Sequence, residues 1–104
     1  MTHFGNFIAE RRKQLELSLS KMAEMIKKED GSTITPQYLN DIERNRRNPP
    51  SEGMIRQISN ALGVSADYLL FLAGKAPGDI SKNHSPEDIE EAYTAFRKTL
   101  EDKK

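Results

Sequence analysis

The stretch "TPQYLNDIERNRRNPP" is bounded at both ends, by Thr35 with Pro36 at its start and by Pro49 with Pro50 at its close. A threonine hydroxyl can cap the free amides of a helix start, and proline fixes the first helical residue without losing a needed hydrogen bond. At the other end, Asn48 and Pro49 each precede a proline, which pushes both out of the helical region. The spacing predicts a short helix 3 from about Pro36 to Arg44. Similar punctuation recurs at Ser18, Ser51, Ser65 and Ser85 with Pro86 as starts, and at Gly31, Gly63 and Gly74 as stops. A chain cut this way is a set of short helices that must bury their apolar faces against one another. The expected fold class is all-α.

The apolar spacing agrees. Phe4, Phe7, Ile8 and Leu15 form the stripe of an amphipathic helix 1, and Met22, Ala23 and Ile26 that of helix 2 behind Ser18. Met54, Ile55, Ile58, Ala61 and Leu62 point inward on helix 4, and "VSADYLLFLAG" supplies helix 5. Met22, Met25 and Met54 are read as core or near-core packing. "KAPGDISKNH" has the composition of a linker. Beyond it, "SPEDIEEAYTAFRKTLEDKK" is acidic in its first turns and basic at its end, as the helix dipole favours, and carries the stripe Ile89, Ala92, Tyr93, Phe96 and Leu100. The expected organisation is a domain over 1–74, a linker over 75–84 and a C-terminal helix over 85–104.

Composition narrows the function classes. With 104 residues, 36% hydrophobic and 31% charged, the chain suits one small helical domain and leaves little room for an enzyme cleft. There is no cysteine, so disulfides and thiolate metal sites are excluded; His3 and His84 lack companions at ligand spacing and are expected on the surface. No cofactor is called for, and no run approaches the roughly 20 apolar residues that span a bilayer, so no membrane partner and a cytoplasmic location are expected. Net charge is zero, yet residues 1–50 hold nine Lys/Arg against seven Asp/Glu while residues 51–104 hold seven against nine. The basic excess lies in the half that contains Arg44, Arg46 and Arg47.

With Leu39 and Ile42 inward, helix 3 turns Gln37, Tyr38, Asn40, Asp41 and Arg44 outward. Two helices joined by a turn, the second exposing amides, a tyrosine and arginines, describe a helix-turn-helix reader of duplex DNA. Residues 4–74, about two thirds of the chain, resemble the lambda repressor and Cro-like (XRE) family, through "SLSKMAEMI", "ITPQYLNDIERNRRNP" and "ISNALGVSADYLL". The resemblance implies a five-helix DNA-binding domain, here with an additional C-terminal amphipathic helix, and a regulator that binds double-stranded DNA without catalysis. Gln37 and Asn40 suit the donor and acceptor edge of adenine. Tyr38 suits a phosphate or a thymine methyl, and Asp41 either a cytosine amino group or solvent. Ser18, Ser20 and Thr35, with the free amides beside them, suit phosphates, as do Arg44, Asn45, Arg46 and Arg47 along the flanking backbone. The family's register pairs Arg12 of helix 1 with Glu43 as a structural ion pair.

Three departures from the family pattern stand out, the outward carboxylate of Asp41 being one of them. About six extra residues in "KKEDGST" separate helices 2 and 3, where relatives have a tight turn; an extra turn of helix 2 ending near Asp30 and Gly31 would absorb them. Leu19 stands where many relatives have glutamine, which removes a DNA contact. The stripe Ile89, Tyr93, Phe96 and Leu100 has three possible fates: folding back on the domain, pairing with a second subunit, or docking another protein. Dimerisation is the expected one, because one reading helix covers only a half-site and two-fold dimers suit palindromic operators. The expected function is therefore a homodimeric repressor of a bacterium or phage. An antitoxin-like or adaptor protein using its C-terminal helix for a protein partner is the alternative.

Overall fold

In the computed structural model, which describes residues 3–103, the helices α1 (Phe4–Gln14), α2 (Leu19–Ala23), α3 (Pro36–Glu43), α4 (Glu52–Leu62), α5 (Ala66–Leu72), α6 (Gly78–Asn83) and α7 (Pro86–Glu101) follow one another. Hydroxyl residues start five of them. Ser18, Thr35, Ser51, Ser65 and Ser85 each accept a hydrogen bond from the backbone N–H three residues on, which satisfies a donor that the first helical turn would leave free. The stops share a device as well. Glu16, Asn45, Gly63 and Gly74 all take left-handed backbone conformations just past a helix, where the chain must turn sharply.

One apolar core unites the first five helices: Phe4 and Ile8 from α1, Met22 and Ala23 from α2, Leu39 and Ile42 from α3, Ile55, Ile58 and Leu62 from α4, and Leu69 and Leu70 from α5. α3 packs against both α1 and α2, and α4 packs against α5 and α1. Leu15 does not join this core. α1 ends at Gln14, so Leu15 becomes its C-cap and lies 39% exposed as the chain reverses at Glu16. Met22 is buried and Met54 half-buried, but Met25 follows the short α2 and points to solvent.

The extra residues before α3 do not lengthen α2. The helix stops at Ala23, and residues 26–34 run out and back as a tight hairpin: the Ile34 N–H donates to the Ile26 carbonyl at 3.0 Å, and that of Lys28 to Ser32 at 2.7 Å. Lys27 and Thr33 form an antiparallel bridge between them. Gly31, at φ +88°, turns the tip, and the Asp30 carboxylate accepts from both the amide and the hydroxyl of Ser32, contacts that hold its pKa below the usual value. Burial at both stems decides against a longer helix, since Ile26 and Ile34 both enter the core and a straight helix to Asp30 would carry the chain away from it. Gln57 of α4 clamps the stem, accepting from the Lys27 N–H at 2.7 Å and donating to its carbonyl at 2.9 Å.

Residues 75–84, read as a linker, contain α6. Glu52, at the start of α4, accepts from the Gly78 N–H at 3.0 Å with one oxygen and from Arg56 at 2.9 Å with the other. Arg56 also approaches Asp79 at 3.7 Å, so α6 is tethered to the domain by polar contacts and buries no side chain of its own. α7 packs against α6 and likewise has no buried residue.

Two predictions arise from this packing. Gly5 lies where α1 crosses the end of α3, and a Cβ there would meet the carbonyls of Ile42 and Glu43 and the Asn45 side chain at or below 2.6 Å. Gly5→Ala should cost about 1–3 kcal/mol in urea unfolding, as overpacking does; an unchanged midpoint would mean that the helices part freely. The second concerns pH. Hydrogen bonds from Arg56 and from the Gly78 amide, reinforced by the charges of Arg56 and Lys82, hold the Glu52 carboxyl below the usual 4.5. The α6 tether is therefore complete above that value and is lost as pH falls through the lower folded one. The Gly78 amide shift should titrate with an apparent pKa below 4.5, and Glu52→Gln should abolish the titration.

Candidate nucleic-acid interface

The interface is built on α3. Its inner face is fixed by Leu39 and Ile42, both essentially inaccessible, and by the largely buried Glu43. That leaves Gln37 exposed and Asn40 and Asp41 partly exposed along the outer face, with Tyr38 half-buried at its edge. Spacings of three and four put 37, 40, 41 and 44 on one side of the helix.

Glu43 faces inward because Arg12 meets it there. The guanidinium binds the carboxylate with two parallel hydrogen bonds, Nε to Oε2 at 2.7 Å and Nη2 to Oε1 at 2.9 Å, and its Nη1 donates to the Leu17 carbonyl at 2.7 Å. The planar fork matches the carboxylate in a way that lysine would not. The bond to Glu43 raises the Arg12 pKa above its ordinary value, against the opposing effect of burial, so the guanidinium stays charged. One side chain thus joins α1, α3 and the α1–α2 turn. Its neighbour Arg11 donates to the Leu62 carbonyl at 3.0 Å and ties α1 to the end of α4, a role that no spacing in the sequence signals.

Beyond Glu43 the chain closes a helix-ending motif. The Arg46 N–H donates to the Asp41 carbonyl at 2.9 Å and that of Asn45 to Ile42 at 3.1 Å, with Asn45 left-handed at φ 60°. The Asn45 carboxamide looks back to α1, accepting from the Gly5 N–H at 3.3 Å and donating to the Asn6 side chain at 2.7 Å. Asn45 therefore has a structural task in the free chain, beside the phosphate contact expected of it. The sequence carries one cue to this role, since asparagine tolerates the left-handed region better than most residues.

Arg44, Arg46 and Arg47 leave this turn exposed. Asp41 gathers two of them: its carboxylate lies 3.8 Å from Arg46 and 4.0 Å from Arg47, and accepts from the Gln37 amide at 2.9 Å. Arg47 also stacks over the Tyr38 ring at 4.6 Å, and Arg44 donates to Asn40 at 3.3 Å. The expected base-contact and arginine residues thus form one connected surface. Thr35 and Ser18 lie at the starts of α3 and α2, their hydroxyls engaged by the backbone amides of Tyr38 and Lys21, and Ser20 is exposed beside the latter. Ile89, Tyr93, Phe96 and Leu100 belong to α7, remote from this surface in sequence. Among the described residues, no group of three acidic or histidine side chains converges as a metal site.

Residues 8–69 match the family model described as Helix-turn-helix, of the XRE, lambda repressor and Cro-like type. The chain belongs to this helix-turn-helix family. The matched span runs from α1 into α5 and includes the hairpin before α3 as well as the surface just described. The family is one of DNA-binding transcription regulators. No curated protein and no solved structure matches the chain. Among the described residues, no helix is long and apolar enough to cross a membrane.

In this helix-turn-helix chain, truncating either partner of the buried pair leaves the other charge uncompensated. Arg12→Met and Glu43→Met should each cost about 3–5 kcal/mol, with the double variant losing clearly less than the sum. Denaturant unfolding of the four proteins measures the coupling, and additive losses would dismiss the pair as an energetic unit.

Proposed function

We propose that the chain is a sequence-specific repressor that acts in the cytoplasm of a bacterium or phage-infected cell, binding a palindromic operator as a homodimer. The single observation that carries this reading is the outer face of α3. Gln37 and Asn40, each able to donate and accept, stand on a helix locked from behind by Leu39, Ile42 and the Arg12–Glu43 pair, with three exposed arginines immediately after it. Laid in a major groove, Gln37 and Asn40 reach base edges, and adenine offers either one a bidentate match. Tyr38 and Asp41 flank them as further base contacts, to a thymine methyl and a cytosine amino group. Arg44, Arg46 and Arg47 meet the phosphates beside the groove, while Ser18, Ser20, Thr35 and Asn45 supply neutral donors to the same backbone.

A second reading rests on a different observation. Tyr93, Phe96 and Leu100 of α7 are each about half exposed, at 54%, 50% and 52%. So much apolar surface in one row suits an antitoxin-like or adaptor protein that carries a partner on its last helix. Co-purification of a partner that is lost on truncation after Gly78 would favour that reading. The two are compatible on one chain, because the surfaces lie on different helices.

Selecting bound sequences from a random duplex pool, with the mass of the complex measured in the same buffer, tests the repressor reading. An inverted repeat held by two chains is expected, with half-site centres about 34 Å apart. Against that site, Gln37→Ala and Asn40→Ala should each relax preference at single positions by about 1–3 kcal/mol. Arg46→Ala should weaken all sequences alike and reduce the slope of log affinity against log salt by about one. A folded chain that enriches no sequence would overturn the proposal.

A further inference from the structure

The apolar row on α7 has a regular geometry. Ile89, Tyr93, Phe96 and Leu100 are separated by four, three and four residues, the alternation that keeps one seam facing a partner helix. The seam borders an open groove of about 530 Å³, whose other walls include Phe71 of α5, 55% exposed, and Ile80 of α6, 38% exposed. No element among the described residues fills it.

The charges on α7 say what kind of helix would. Its first half carries Glu87, Asp88, Glu90 and Glu91, and its second half Arg97 and Lys98 with a single carboxylate, Glu101. Two copies of α7 laid side by side in the same direction would set four carboxylates against four carboxylates. Laid in opposite directions, each acidic half meets a basic half, and the helix dipoles also oppose favourably. The register follows from the seam. If Tyr93 faces Phe96 of the partner subunit, two-fold symmetry puts Ile89 against Leu100 of the partner subunit. Glu90 and Arg97 of the partner subunit then flank the same gap between those layers. Among the described residues neither Glu90 nor Arg97 enters an ion pair within its own chain.

We propose that a second copy of this chain covers α7, its own α7 lying antiparallel in the groove with Glu90 and Arg97 of the two copies paired across the seam. This rests on the homodimer of the preceding section and supplies its surface and orientation. The size fits a reversible assembly. About six apolar side chains per copy each give up on the order of 100 Å², so two copies hide about 1,200 Å², the lower end of specific interfaces. Two heptads alone would hold poorly, and the walls at Phe71 and Ile80 supply the remaining cover.

Sedimentation equilibrium of the full chain without DNA tests the pairing on the wild type, Glu90→Lys, Arg97→Glu, the double variant, and an equal mixture of the two single variants. Circular dichroism checks that each is folded. An exposed ion pair is worth a factor of about two to five, symmetry repeats it, and reversal adds repulsion, so each single variant should weaken dimerisation about tenfold. The double variant should return to within about threefold of the wild type. The mixture should dimerise more tightly than either single variant. In the mixed dimer the two substituted positions face each other with opposite charges, and the unchanged Arg97 and Glu90 meet across the other gap. A wild type that stays monomeric overturns the pairing, as do single variants that match the wild type or a double variant and mixture that rescue nothing. Duplex binding by a monomer would sink this inference and leave the DNA reading standing. The charge-reversal pattern in a chain that selects no duplex would do the opposite.

Discussion

The bidentate contact of Arg12 with Glu43 is the constraint on which the outer face of α3 depends. Two hydrogen bonds of 2.7 and 2.9 Å fix how far α3 can rotate about its own axis, because Glu43 cannot leave the guanidinium without stranding a largely buried charge. Rotation is the coordinate that matters for a helix that presents side chains to a groove. A turn of α3 by one residue would swing its outer row by about 100°, replacing Gln37 and Asn40 with their neighbours. The third bond, from Arg12 to the Leu17 carbonyl, extends the same control to the turn leading into α2. Such a pair adds less to stability than its short distances suggest, since both charges lose water. Its effect is positional, because an apolar pair of equal volume would not hold the helix angle through fixed hydrogen bonds.

A second fastening acts at the other side of the same helix crossing. Gly5 leaves room for the carbonyls of Ile42 and Glu43, and the Asn45 carboxamide caps the Gly5 amide. The end of α3 is thus held against the start of α1, while Glu43 is held against its last turn. The exposed arginines leave from this doubly held corner, so their Cα positions are set even though the side chains are long.

Much of the chain was legible because its starts are encoded locally. A serine or threonine before a helix acts through atoms within three residues, and all five such positions do so here. Stops are encoded less evenly. Gly63 and Gly74 announce left-handed turns, but Glu16 and Asn45 adopt the same conformation with no glycine to mark them. The hairpin at 26–34 was hidden for a related reason: Met22, Ala23 and Ile26 fit a continuing helix, and only the competing demand of Ile34 for the core bends the chain back. Segment 75–84 lacked an apolar stripe, so α6, held by Glu52 and Arg56 of a helix well before it in the chain, had nothing in its own composition to reveal it. The residues of the outer α3 face were readable from helical spacing, whereas their mutual bonds were not, since those depend on where the turn after α3 returns the arginines.

Those mutual bonds bear on how a chain with no net charge presents a cationic surface. Asp41 sits at 3.8 and 4.0 Å from Arg46 and Arg47, so in the free chain one carboxylate offsets part of the charge of two guanidinium groups and at the same time holds the Gln37 amide. On the proposed contacts, any duplex that attracts the arginines must compete with Asp41 for them, and Gln37 must give up its own bond to Asp41 before it reaches a base edge. The exposed geometry makes each ion pair weak, which keeps the arginines available. Yet a phosphate track with the wrong bases draws only on the arginines and leaves Gln37 on Asp41. On the same contacts a matched site would draw on Gln37 as well. A carboxylate within a basic surface thus moderates the attraction that every duplex shares, and discrimination is the difference that remains.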